Sequence, residues 1–539
     1  MADGIGRASA FLASGTIVSR ILGFAKAIAL ASAIGLVESS SADAFAVANQ
    51  LPNTIYAIIA GGVLTAVLVP QIVRAGLSAD GGAAYINKLM TVTLVVLAVS
   101  AVIATALAPL LTFLYGAALS PDQRALATAF AFWCLPQIFF YGLYTVLGEV
   151  LNARRSFGPY TWAPVVNNVV ALVGIGVFIA VYGSDPTGMR SAASWDPAMI
   201  AVLAGTATLG VAAQAVILFW FWRRAGIRYR PDFHWRGVGL GTAGRMAGWT
   251  FGMILLTTAA GLVETVVVGI ASGEDASVAA LGNAWLVFML PHSIITVSIA
   301  TAYFTRMAEH ASHGRITELR TDVSSAIRGI SLIIVLAAAV LLVTAYPFAA
   351  IFTNESFSQT IAFGNVIMAY LIGLLPFCVL FVVQRAFYAL GDTRTPFFFT
   401  LAQTIIVVVL VIGCSLLPSQ WIAAGIALSV SIAGIVQLLI AANLLRRRLN
   451  GIESGRIVRS LLVYAWPALI SMVIGVLLLT ALGGTRDGGF AVSGIAPAIL
   501  SMAAIGTAMA AVYFGLLWIV RAPELRVFGE PILDRFRRR

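Results

Sequence analysis

Apolar residues run through this chain in long blocks separated by short polar stretches. A bilayer core takes about 20 apolar residues per helix. Runs of that length fall near 10–36, 43–73, 87–115, 124–152, 159–183, 197–222, 246–272, 277–305, 324–352, 358–390, 396–417, 419–445, 457–483 and 490–520. The pattern predicts an all-α polytopic membrane protein of about fourteen transmembrane helices.

The basic residues orient these spans, because Lys and Arg are retained on the cytoplasmic side. With the N-terminus inside, the cytoplasmic segments hold Arg74 and Lys88, then Arg154 and Arg155, then Arg223, Arg224, Arg228, Arg230 and Arg236. Arg306, Arg315, Arg320 and Arg328 follow, then Arg446, Arg447, Arg448, Arg456 and Arg459, and a tail with Arg535, Arg537, Arg538 and Arg539. The opposite loops hold Arg124, Arg190 and Arg486. Moving the helix count by one destroys this asymmetry. Both termini are therefore expected in the cytoplasm.

Composition agrees. Of 539 residues, 60% are hydrophobic and 10% charged, against about 25% charged in soluble domains; the mean hydropathy is +0.96. The net charge of +11 would suit nucleic acid, but it sits in short loops between apolar runs, which is membrane topology. Cys134, Cys378 and Cys414 lie inside apolar runs without CxxC spacing, and read as packing residues, neither disulfides nor metal ligands. The first run carries Arg20 and Lys26 and has only Arg7 before it, so it reads as an uncleaved first helix, not a signal peptide.

Two stretches repeat at nearly one offset. Leu51-Pro52-Asn53-Thr54-Ile55 parallels Leu290-Pro291-His292-Ser293-Ile294, and Leu135-Pro136 with Leu151 to Ser156 parallels Leu375-Pro376 with Leu390 to Thr395. A duplicated six-helix unit is expected, its copies related by a pseudo-twofold axis along the membrane normal. The division is 1–236, 237–450, and 451–539 for two further helices and a basic tail. Pro52, Gly61, Gly62 and Pro70 in span 2 and Pro291 in span 8 mark kinks, since proline removes a backbone donor. Kinks at matching positions of two repeats point to a central substrate path.

Charge inside a span costs about 2.5–3.5 kcal/mol at the helix centre, so each such residue needs water, a partner or a ligand. Arg20 and Lys26 sit about 9 Å apart along span 1 and about 120° apart around it. They do not share a stripe, yet both can border a cavity; an anion site and snorkelling to an interface both stand open. Glu264 in span 7 is either a coupling-ion site or the partner of a base. Arg385, near the end of span 10, is expected to bridge to Asp392, and Asp43 is a candidate cap for span 2. His292 reads as a packing residue in preference to a proton relay.

At these residues the chain resembles a known family. Ser19-Arg20-Ile21-Leu22-Gly23-Phe24-Ala25-Lys26, Ala42-Asp43-Ala44-Phe45, Leu51-Pro52-Asn53 and the string Arg385-Ala386-Phe387-Tyr388-Ala389-Leu390-Gly391-Asp392-Thr393-Arg394-Thr395-Pro396 look like the MurJ/MviN lipid II flippases of the MOP exporter superfamily. The resemblance implies two lobes around a cationic cavity. It implies as substrate lipid II, an undecaprenyl-diphosphate-linked disaccharide-pentapeptide moved from inner to outer leaflet by alternating access in peptidoglycan biosynthesis. It implies substrate contacts at Arg20, Lys26, Asp43 and Asn53, and gating or structural roles at Pro52, Pro291, Arg385, Asp392 and Arg394. Lys26 stands where Arg is usual. The basic residues usual after the span 2 Pro-Asn are absent, and Asn283 to Leu290 replace the usual charged pattern of span 8. Relatives with a sodium site carry an Asp in span 7, where this chain has Val267, with Glu264 about a turn earlier. Coupling to Na+, H+ or the membrane potential stays open, and no cofactor is implied. The resemblance further implies a monomer in the bacterial inner membrane, with cell-wall synthesis enzymes as its potential partners.

Two other readings compete. A lipid-linked polysaccharide translocase or a drug/cation antiporter would share the fold, but a cationic drug calls for acidic residues in the first lobe. A membrane glycosyltransferase or phosphatase would need clustered carboxylates or a metal motif. Glu38, Asp122, Asp185, Asp196, Glu274, Asp275, Glu355 and Asp487 are scattered instead. No catalytic residue and no metal site is expected.

Overall fold

The structure, a computed structural model, describes residues 2–60, 83–154, 156–226, 229–233, 244–353 and 356–525. Every regular element among them is helical. Fourteen segments carry the architecture. In the first half they are α1 Ala2–Ile34, α2 Ser40–Ile59, α3 Ala83–Ala106, α4 Pro121–Ala153, α5 Phe157–Tyr182, α6 Pro197–Arg224 and α7 Gly244–Val268. In the second they are α8 Val278–Ser312, α9 Ile316–Val343, α10 Phe357–Ala389, α11 Arg394–Cys414, α12 Ser419–Arg448, α13 Ser454–Ala481 and α14 Ile495–Ile519.

Thirteen helices among the described residues are long and apolar enough to cross a membrane. Each meets one of the predicted spans. At the remaining span, 43–73, α2 covers the first part, and Gly61, Gly62 and Pro70 lie outside the described residues, as do Arg74, Arg155, Arg228, Arg236, Glu355 and the basic tail. The helices wear their apolar side chains outward: Leu462, Leu469, Val473 and Leu477 form one exposed ridge on α13. Their spacing keeps them on a single face, which hydrocarbon solvates and water would not. The chain is a multi-pass membrane protein.

Local chemistry sets the helix starts. The Ser39 hydroxyl accepts from the Ala42 amide and opens α2. Ser120 and Gln123 exchange bonds as a capping box ahead of α4, with Pro121 at the first helical position. Asp196 accepts from the Met199 amide to start α6.

The chain forms two compact units, 1–273 and 274–539. In the first, α1 lies on α5, α5 on α6, α2 and α3 on α4, α4 on α6, and α7 against α2. In the second, α8 and α9 lie on α10, α10 and α11 on α12, α9 on α13, and α13 on α14. The pairs α2/α4, α3/α4, α4/α6 and α5/α6 thus recur as α8/α10, α9/α10, α10/α12 and α11/α12, which is the packing of a six-helix duplication. Both copies break their fourth helix at a corresponding point, at Leu135-Pro136 and at Ile372-Gly373. By its contacts α7 belongs with the first unit, although the lobe boundary read from sequence precedes it. Helices α13 and α14 share a core with α9 built on Tyr464, Met509 and Tyr513.

Small residues let the helices close up. Gly174 of α5 faces Thr206 of α6, and Gly148 of α4 lies under the Tyr160 ring. All three cysteines are buried and free.

Candidate functional site

Helix α1 is seated by its small residues. The Asn168 side chain of α5 donates to the Ser19 carbonyl at 2.8 Å, and Gly23, one turn on, leaves room for the same amide. At 100° per residue, Lys26 returns to within about 20° of the Ser19 direction, whereas Arg20 points about 100° away. Lys26 is therefore turned inward.

Its side chain lines a cavity of about 80 Å³ inside the first unit, with Asn49 of α2, Gln137 and Tyr141 of α4, Asn167 of α5 and Thr206 of α6. The polar wall is held rigidly. The Gln137 amide donates to Thr208 Oγ1 at 2.9 Å, and its oxygen accepts from the Tyr141 hydroxyl at 3.1 Å. No carboxylate lines the cavity, and Lys26 forms no ion pair among the described residues. A half-buried ammonium facing amide and hydroxyl groups, without a counter-ion, is an anion-attracting arrangement.

Arg20 is half-buried on another face of α1 and is not among the residues lining this cavity. Asn53 is exposed on α2, one turn beyond Asn49. Pro52 beside it is buried. Asp43 stands apart: it is 1% exposed, and its carboxylate accepts from the Ser272 hydroxyl at 2.6 Å, which in turn accepts from the Gln123 amide. The cap of α2 is Ser39, not Asp43, because the cap position precedes the helix and Asp43 already lies in its first turn. Glu264 is half-buried on α7, and the next residue, Thr265, accepts from Gln50 of α2. Among the described residues Glu264 has no ion pair.

In the second unit, Pro291 is buried in α8 and is followed by a π-turn over His292–Thr296. His292 is packed between the Phe377 and Phe381 rings, as a packing residue should be. The expected bridge from Arg385 to Asp392 does not form. The Asp392 carboxylate is taken by the amide and hydroxyl of Thr395 in the first turn of α11. The Arg385 guanidinium lies instead over two rings, 4.9 Å from the centroid of Phe381 and 5.1 Å from that of Phe304. Arg394 is exposed, over Phe398.

Sequence reasoning missed Asn49, Gln137, Tyr141 and Asn167. Their signal was present: amides inside apolar runs must find polar company. It also read Arg306 and Arg328 as topology markers only. Arg306 and His310 converge on Asp322, itself 2% exposed, and Arg328 of α9 pairs with Glu524 beyond α14.

Comparison with known proteins follows from this geometry. The family model described as lipid II flippase MurJ matches residues 30–486. A probable lipid II flippase MurJ of Rhizobium meliloti is 27% identical over 441 residues, covering 79% of this chain and 77% of that protein. One of Buchnera aphidicola is 24% identical over 472 residues, 85% of this chain and 87% of that protein. Among solved structures, a lipid II flippase MurJ in an inward closed conformation superposes with a TM-score of 0.72 at 18% identity, covering 94% of this chain and 99% of that one. An inward-facing multidrug resistance MATE family transporter of the MOP superfamily gives 0.60 at 16% identity, over 81% and 96%. The structural likenesses establish a shared fold.

Proposed function

Because the chain belongs to the lipid II flippase MurJ family, we propose that it carries a lipid-linked peptidoglycan precursor, lipid II, from the inner to the outer leaflet of the cytoplasmic membrane by alternating access. The observation that carries this reading beyond the family match is the inward-turned, carboxylate-free Lys26 and its polar pocket. Together with Arg20 on the same helix it supplies positive charge where a diphosphate head group must leave water. Asn53, exposed beyond Asn49, offers an amide to the same substrate. In this reading Asp43 acts indirectly, by holding α2 through Ser272. Both termini lie in the cytoplasm, and no covalent chemistry is involved.

Coupling is assigned to Glu264: a half-buried carboxylate without an ion pair among the described residues is suited to take up a proton or a monovalent cation. A cationic-drug exporter of the same fold is disfavoured, since the polar pocket of the first unit holds a lysine and no acid.

The test is reconstitution of the purified chain in vesicles with lipid II, following its exposure on the far leaflet with and without ion gradients. Arg20→Ala and Lys26→Ala are expected to abolish exposure while the protein inserts normally. Undiminished exposure with both variants would sink the cationic-site mechanism, and exposure of a cationic dye but not lipid II would favour the exporter.

A further inference from the structure

A formally charged side chain near the end of a membrane-crossing helix needs an anion, and Arg385 has none of its own. It forms no ion pair among the described residues. Of the acids nearest in sequence and on α8 and α9, Asp392 is committed to Thr395, Asp322 to Arg306 and His310 and Glu309 to Arg315, and Glu318, in the first turn of α9, forms no ion pair with Arg385. What Arg385 has is aromatic, with Phe304 of α8 and Phe381 of its own helix each about one ring-contact from its central carbon. Rings engage the π-face of a guanidinium. They leave its in-plane N–H donors unused, and those donors form the fork that matches two oxygens of a phosphate.

The surroundings suit an amphiphile. From Arg385 an aromatic column continues along α8 and α10, with Phe381, Phe377 and Trp285 half-buried and His292 and Phe288 buried. His292 meets Phe381 and Phe377 edge to face, at 5.1 and 4.7 Å, and Phe377 meets Phe288 and Trp285 at 5.3 and 5.9 Å. This is the stretch in which span 8 carries Asn283 to Leu290 without charge. A cation at one end of an uncharged ring-lined strip fits a ligand with phosphate at one end and an apolar or cyclic body beyond it. A simple salt-bridge role would instead have left Asp392 opposite the guanidinium.

We propose that Arg385, clamped between Phe304 and Phe381, is the phosphate-recognising residue of a lipid site within residues 274–539, additional to the Lys26 pocket. Its ligand is a phosphate-bearing lipid. If that lipid is the transported diphosphate, the inference rests on the function proposed above; if it is a bilayer phospholipid, it does not.

The experiment uses the full chain in nanodiscs of neutral lipid. Native mass spectrometry or a competition assay would measure binding of a polyprenyl diphosphate, phosphatidic acid, inorganic pyrophosphate and diacylglycerol. Removing a charge-assisted, bidentate contact is expected to weaken the favoured phosphate-bearing lipid by about ten- to a hundredfold in Arg385→Gln, with diacylglycerol unaffected. The drop falls on polyprenyl diphosphate if the site serves transport, and on phosphatidic acid if it serves the bilayer. Arg385→Lys keeps the charge but loses the fork, so a smaller drop of roughly three- to tenfold is expected; this variant carries the test if Arg385→Gln does not fold. Unchanged binding of both phosphate-bearing lipids in a folded variant overturns the proposal. So does an equal loss for diacylglycerol, or recognition of pyrophosphate alone. Wild-type transport with unchanged binding in Arg385→Gln defeats this inference only, whereas a wild type that binds but does not transport defeats the earlier one.

Discussion

Replacing Lys26 with methionine should make the protein more stable and less active. The side chains are similar in length, so the cavity stays filled and only the ammonium is lost. An ammonium at the middle of a membrane helix costs about 2.5–3.5 kcal/mol on insertion scales. The amide and hydroxyl wall formed by Asn49, Gln137, Tyr141 and Asn167 returns part of that, since a hydrogen bond to a charged group contributes about 1.5–3 kcal/mol. The difference leaves Lys26→Met more stable by about 1 kcal/mol, a rise of roughly 2–4 °C in Tm for a unit of this size. Thermal unfolding in one detergent, with wild type, Lys26→Met and Lys26→Arg side by side, reads the stability. Vesicle exposure of lipid II reads the function. Lys26→Arg, which installs the family's usual residue, should keep activity. If Lys26→Met unfolds at a lower temperature than wild type, the lysine holds the helices together and is no ligand site; if it is as active as wild type, the charge does nothing for transport.

Other outcomes follow from packing and pairing. Gly148→Ala pushes a methyl group into the Tyr160 ring and should lower stability by about 1–3 kcal/mol, seen as a reduced unfolding temperature without change in transport per folded molecule. Asp43→Ala strands the Ser272 hydroxyl and should cost about 1–3 kcal/mol, while Asp43→Asn, which keeps an acceptor, should cost less; equal losses would contradict the hydrogen-bond role. Glu524→Ala leaves the Arg328 guanidinium without its carboxylate and should destabilise by about 3 kcal/mol, whereas Arg328→Met combined with Glu524→Leu should come close to wild type. The buried thiols of Cys134, Cys378 and Cys414 should resist maleimide in the folded protein and all react after denaturation; rapid labelling of any of them would contradict its burial.

The helices were legible because hydrocarbon imposes a length and a polarity that leave few alternatives. The duplication was legible too, since the Leu-Pro pairs at matched offsets mark matched breaks in α4 and α10, at Leu135-Pro136 itself and at Ile372-Gly373 just ahead of Leu375-Pro376. Partnerships were not. Arg385 and Asp392 are seven residues apart and of opposite sign, yet the short loop before α11 gives the carboxylate two nearer donors in Thr395, and local geometry wins over long-range charge. Asp43 looked like a cap, but Ser39 already held the position ahead of the helix. The Lys26 pocket draws on five helices, and a periodicity argument applied to one helix cannot show which amides of the other four converge on it. Arg328 and Glu524 are far apart in the chain, and only the seating of α13 and α14 on α9 brings them together.

The π-turn after Pro291 has a bearing on how changes in α8 should be read. A turn that holds one extra residue rotates everything beyond it by about 100° relative to a regular helix. A helical wheel drawn straight through residues 278 to 312 would therefore put Phe304 and Arg306 on the wrong side, whereas deleting a residue between His292 and Thr296 should relax the turn to regular α-helix and leave Phe304 facing Arg385.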